Sequence, residues 1–177
     1  MRQIAMLRGI NLGPNRRVPM ADLRALLTEA GYTEVRTYVQ SGNVVLGSPA
    51  KAADVQRQLT TLISERFGFD VPVIVRSRTQ LAGVVKKNPL GDVADDPKRY
   101  QVSFLAERLS AKTVKLLEEL AQPPEALVVD GRELYAWHPE GVARSKLWNG
   151  LAGKGLGVIA TARNWTTVTT LLAMASE

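Results

Sequence analysis

The residues best suited to chemistry stand near the start of the chain. The stretch LRGINLGPNRR, Leu7 to Arg17, holds Arg8, Arg16 and Arg17, two glycines and two asparagines, and no acid. A guanidinium offers a planar fork of donors that matches phosphate and carboxylate oxygens. The plainer reading is a turn that needs glycine to reach positive φ. Length favours the ligand: strand-to-helix loops usually take roughly 2–6 residues, and this one is longer. Arg8, Gly9, Asn11, Arg16 and Arg17 are therefore candidate anion-binding residues.

The second candidate is QSGN, Gln40 to Asn43. Ser-Gly is ordinary turn chemistry, so Gln40, Ser41 and Asn43 gain interest only from what lies beside them. Ser41 has no base near it in sequence that could make it a nucleophile. In TARNW, Thr161 to Trp165, Asn164 reads as a helix cap and Trp165 as a core residue. Arg163 is left over and joins the anion-binding candidates. GKG at Gly153–Gly155 lacks the spacing and the hydroxyl residue of a phosphate-binding P-loop; its glycines read as a helix stop. His138, the one histidine, has no partner in sequence for metal binding or acid–base work. Tyr135 and Trp148 sit at core-like spacing, and Asp95-Asp96 reads as a solvated pair.

Charge supports the anion reading. The chain carries a net +6. Residues 1–21 hold Arg2, Arg8, Arg16 and Arg17, and residues 141–176 hold Arg144, Lys146, Lys154 and Arg163, both without an acid. The remaining chain is slightly acidic, so the basic excess lies towards the two ends of the sequence, a pattern that favours an anionic partner. Without cysteine there are no disulfides or thiolate metal sites. The cytoplasm is the expected compartment. No run suits a membrane span, and no motif asks for a metal or a cofactor.

The elements that must position these residues repeat one order. QIAMLR reads as a strand, and Pro19 opens a helix on Leu23, Leu26 and Leu27 that stops at Gly31. Residues 33–47 read as a hairpin with a two-residue Ser41-Gly42 turn. Ser48 and Pro49 cap a helix that ends at Gly68, and VPVIVRS is a fourth strand, followed by a short helix at 79–87. The polar stretch 89–99 reads as a linker. From residue 100 a strand, a helix capped by Ser110, a hairpin at Asp130-Gly131, a helix near 143–152, a strand and a last helix follow. Two ferredoxin-like βαββαβ subdomains are expected, 1–88 and 100–177, the second ending in a C-terminal helix. Right-handed crossovers give antiparallel sheets in the order 4-1-3-2. That order sets the loop after Arg8 beside QSGN, with the start of the first helix, a site favourable to anions, at the same end.

With these stretches in hand, the chain resembles the bacterial family called domain of unknown function 1697. LRGINLG, VPMADLRALL, GYTEVRTYVQSGNVV and the C-terminal LG-x-x-x-T-A-RNW-x-TV look like the family's signatures in matching order. The resemblance implies two ferredoxin-like subdomains in one chain and carries no activity with it. It marks Arg8, Gly9, Asn11, Ser41, Gly42, Asn43, Arg163, Asn164 and Trp165 as motif positions. Pro14 and Asn15 stand where the family pattern tends to have a glycine and a lysine, which stiffens the loop and leaves the charge to Arg16 or Arg17.

Three functions follow from these readings. The leading one is a non-catalytic module for an anionic, phosphate-bearing ligand, a small molecule or nucleic acid. Against nucleic acid, the strands lack the aromatic signature of an RNA-recognition plait. The alternative is a hydrolase or transferase acting on a small phosphorylated or acyl-phosphate substrate, with Arg8 on the phosphate and Asn43 orienting a water. The third is a scaffold whose sheet edges pair with another chain.

Overall fold

The computed structural model describes residues 1–152 and 154–177, without the side chain of Lys154, so the helix stop expected at Gly153–Gly155 lies partly outside the described residues. The apolar run at the start forms β1 (Arg2–Leu7), buried almost throughout because both of its faces are covered. α1 (Met20–Glu29) follows a long loop, then β2 (Thr33–Tyr38), β3 (Asn43–Gly47), α2 (Ala52–Phe67) and β4 (Val73–Ser77). The sheet runs β2-β3-β1-β4, all pairs antiparallel. This is the order that right-handed crossovers require.

One face of that sheet, with Ala5, Leu7, Val44, Leu46, Val73 and Val75, packs on Leu23 and Leu27 of α1 and Val55, Leu59 and Ile63 of α2. The period of two along the strands meets the three-to-four period of the helices in one core. The other face carries Ile4, Met6, Val45 and Ile74, also buried, and a fully buried Arg76.

The second half repeats this pattern after α3 (Arg78–Lys87). β5 (Tyr100–Leu105), α4 (Ala111–Leu120), β6 (Ala126–Asp130), β7 (Glu133–Trp137), α5 (Lys146–Ala152), β8 (Ala160–Asn164) and α6 (Trp165–Ala175) follow in turn. The sheet order is β6-β7-β5-β8. Ser110 accepts from Thr113 N–H and Asn164 Oδ1 from Thr167 N–H, so both expected caps form. Trp165 stacks on Tyr100 with centroids 4.7 Å apart. The fold is α+β, two ferredoxin-like plaits in one chain. By compactness, residues 1–83 with 170–177 form one unit and residues 84–169 the other. The last residues of α6 join the first unit where Arg36 donates to Met174 O and pairs with Glu177.

Three local expectations are corrected. The first hairpin closes at Tyr38↔Asn43, so its turn spans residues 39–42 rather than two residues, with Val39 at φ 53° and Gly42 at φ 86°. A β-branched Val39 in the left-handed region is costly, which is why the sequence reads it as strand. α2 starts later than Ser48 and Pro49: its N-cap is Lys51, and Ser48 Oγ accepts from Ala50 N–H instead. Pro19 is the N-cap of α1, not its first helical residue.

Candidate functional site

The exit of β1 is fixed by the fold itself. Leu7 N–H donates to Gly42 O at 2.8 Å, and Arg8 N–H to Pro72 O at 3.0 Å. The loop after Arg8 therefore runs beside the 39–42 turn, as the strand order demands. Ile10 drives inward, only 2% exposed, and lies against Gly42. A Cβ at Gly42 would sit 2.7 Å from Leu7 Cβ and 2.9 Å from Ile10 Cδ1. Glycine is required there twice over, by its positive φ and by this approach.

Asn11 ties the loop together. At φ 55° its N–H donates to Arg16 O, its Oδ1 accepts from Val18 N–H, and its Nδ2 donates to Val18 O at 2.9 Å and Gln40 O at 2.8 Å. Asparagine tolerates the left-handed region and offers both a donor and an acceptor, so one side chain closes the loop and moors it to the turn. Arg16, at φ 58°, turns back: Nε donates to Gly9 O at 2.8 Å and Nη2 to Asp70 O at 2.6 Å, with the guanidinium 4.8 Å from the Phe69 ring centre. Much of its donor capacity is spent on the loop's own backbone. Asn43, fully buried, donates to Tyr38 O and Ser41 Oγ and so clips the turn.

The expected site residues thus divide. Eight of them, Arg8, Gly9, Asn11, Arg16, Arg17, Gln40, Ser41 and Asn43, do gather at one end of the first sheet. Within that set Asn11, Arg16 and Asn43 hold the loop and the turn. Arg17, Gln40 and Ser41 are exposed, and Arg8 is half-buried. Leu12 is 87% exposed and Val39 52% exposed, one residue either side of the Asn11–Gln40 bond. Arg163 belongs to the other unit, on β8. Its Nη1 donates to Thr161 Oγ1 and Ala162 O, and desolvation pulls its pKa down to about 10.

A second cluster, in the other unit, escaped the sequence reading. His138 Nδ1 and Ser145 Oγ each lie 2.6 Å from Glu125 Oε2, and Ser145 Oγ also accepts from Trp148 N–H. An ionised carboxylate only accepts, and a proton on Nδ1 completes that bond. This is not a nucleophile relay. A relay needs the serine on the ring nitrogen opposite the carboxylate; here Ser145 shares Nδ1's side, and Nε2 is buried with no partner among the described residues. The signal lay in register: Ala126 pairs with Trp137, so Glu125 and His138 come next across the same hairpin.

Among the described residues no group of three His, Asp or Glu is placed to hold a metal, and no helix is long and apolar enough to cross a membrane. Comparison with known proteins points the same way as the motifs. The solved conserved bacterial protein SP0830 from Streptococcus pneumoniae is similar in fold at TM-score 0.81 and 23% identity, covering 98% of each chain. None of the curated proteins matches. The family described as "Protein of unknown function (DUF1697)" matches over residues 1–135, across the whole first plait and both opening motifs, and the chain belongs to that family.

Proposed function

We propose that the first unit is a non-catalytic binding module for a phosphate-bearing ligand, with nucleic acid the leading class. The observation that supports it best is the Asn11 bracket, which holds a long, acid-free arginine loop against the exposed Gln40 and Ser41. Arg8 and Arg17 supply the charge, and Gln40 and Ser41 add neutral hydrogen-bonding groups beside it. Exposed Leu12 and Val39 offer apolar contact that a bare phosphate would leave unused and a nucleobase would take. The hydrolase or transferase alternative relies on Asn43 to orient a water, yet that amide is fully buried and committed to Tyr38 and Ser41. Binding without turnover is the better fit.

A fluorescence titration with labelled single-stranded and duplex oligonucleotides tests this. Neutralising two phosphates, at Arg8 and Arg17, gives a log–log salt slope of about 1.4 for a single strand and about 1.8 for a duplex. No binding to either at low salt overturns the nucleic-acid reading.

A further inference from the structure

The second unit has a cleft of about 490 Å³ that neither the family nor the anion loop accounts for. That volume lies in the range of small-molecule sites, roughly 300–1,000 Å³. Its walls carry charges of both signs: Glu125 and Glu140, and opposite them in sign Arg144 and Lys146, with the Pro123–Pro124 pair supplying apolar surface. The cleft is therefore neutral as a whole and carries both signs.

Glu125 is the built part of this site. Its side chain is only 15% exposed, and Oε2 is held from two directions by His138 Nδ1 and Ser145 Oγ. His138 is fully buried and sits edge-on to Trp148, with ring centres 5.8 Å apart, so the ring that orients the carboxylate is itself fixed by packing. Both recorded hydrogen bonds of the carboxylate fall on Oε2, Oε1 has none among the described residues, and Glu125 lines the cleft. A mostly buried, pre-oriented carboxylate with one oxygen unbonded is a receptor for a cationic donor. Arg144 and Lys146 are exposed and make no ion pair among the described residues.

We infer that this cleft binds a small zwitterion of the amino-acid or dipeptide class. Its ammonium group meets Glu125 Oε1, its carboxylate meets Arg144 and Lys146, and an apolar side chain lies on the proline wall. A simple anion would be repelled by the fixed carboxylate, and a simple cation would leave both basic side chains unused. The site is separate from the anion loop, so either can fail without the other.

Calorimetric titration of the full chain with leucine and leucyl-leucine decides the matter, with N-acetyl-leucine (no ammonium) and leucinamide (no carboxylate) as controls. At least one zwitterion should bind saturably, and both blocked analogues at least about tenfold more weakly, the loss of one charged hydrogen bond. Glu125→Gln, which keeps an acceptor for Ser145, should also weaken binding at least about tenfold. Should that variant fold poorly, Arg144→Ala, an exposed change, carries the test and should weaken the zwitterion but not leucinamide. No saturable binding of either zwitterion at millimolar concentration overturns the inference. Blocked analogues that bind as well, or full affinity in Glu125→Gln or Arg144→Ala, overturn it equally.

Discussion

In the first unit Leu7 N–H donates to Gly42 O and Arg8 N–H to Pro72 O; in the second, Leu105 N–H donates to Arg132 O and Ala106 N–H to Ile159 O. The registers agree as well, since Ile4 pairs with Val45 and Arg76 as Val102 pairs with Tyr135 and Arg163. Each plait thus clamps the exit of its first strand between a hairpin turn and the entry to its fourth strand. What differs is the chain beyond the clamp. Residues 8–19 separate β1 from α1, whereas residues 106–110 are enough between β5 and α4. The second plait acts as an internal control. Proximity of the first loop to the turn is what the topology demands and says nothing of function. The arginine-bearing excess in one plait only, moored by Asn11, is what topology does not require.

Gly42 offers the strongest way to break that comparison. Its counterpart at the second clamp is Arg132, so the clamp itself does not need glycine. The need comes from the positive φ of the turn and from the approach of Leu7 at the end of β1 and of Ile10, the inward residue of the long loop. Gly42→Ala should cost about 1–2 kcal/mol for the left-handed backbone and a further 1–3, roughly, for crowding Leu7 and Ile10. Gly131→Ala in the second hairpin, at φ 61° with nothing within 4 Å of its Cβ position, should lose only the first part, about 1–2 kcal/mol. Urea unfolding of both variants measures the difference. Equal losses would mean that Leu7 and Ile10 do not press on the turn.

Alkaline pH separates the two plaits by their buried phenols. Burial, with Glu133, Asp130 and Tyr100 adding to it, raises the Tyr135 pKa well above the ordinary tyrosine range; burial also raises Tyr100 and, in the first unit, Tyr32. A phenol whose folded pKa is raised holds its proton where the unfolded chain has lost it. Its contribution is therefore complete below the unfolded value near 10 and is lost as pH climbs beyond it. Arg163, lowered to about 10, works in the opposite sense, because between there and 12.5 the unfolded chain binds the extra proton. Three phenols outweigh one guanidinium, so stability should fall above pH 10. Tyr135→Phe should remove up to about 1.4 kcal/mol per pH unit from that slope, more than Tyr32→Phe removes. Denaturant midpoints across pH 9–11 would show it, and equal flattening by the two variants would contradict the ranking.

The strand order and the meeting of loop and turn were legible because crossover handedness leaves one arrangement, and short apolar or β-branched runs bounded by turn signals mark every strand. The caps at Ser110 and Asn164 were legible because an oxygen-bearing side chain before an apolar face has few other uses. The division of labour inside the loop was not. Arg16 and Arg17 are identical neighbours in sequence, and only the positive φ of Arg16 and the carbonyls of Gly9 and Asp70 turn one inward. The 39–42 turn was misread because Val39 carries strand propensity that tertiary packing overrides. Glu125 was missed although the hairpin register placed it opposite His138. The partner of the lone histidine lies across the strands, not along the chain.

The smallest expected change in stability is the one that speaks most directly to function. Arg17 is exposed at the end of the first loop, and Arg108 is exposed in the short loop that takes its place in the second plait. Neither replacement by alanine should move the unfolding free energy by more than about 0.5 kcal/mol, since neither empties a core or strands a buried partner. Their effects on oligonucleotide binding should part. Arg17→Ala should lower the log–log salt slope by about 0.7–0.9, one phosphate released from contact, and weaken binding similarly for every sequence. Arg108→Ala should leave the slope where it was, because its loop has Glu107 beside it and no excess chain to follow a ligand. Equal slopes for both variants would show that the protein's net positive charge, rather than the longer loop, does the binding. A slope that drops only with Arg17 assigns the contact to the one feature that the second plait lacks.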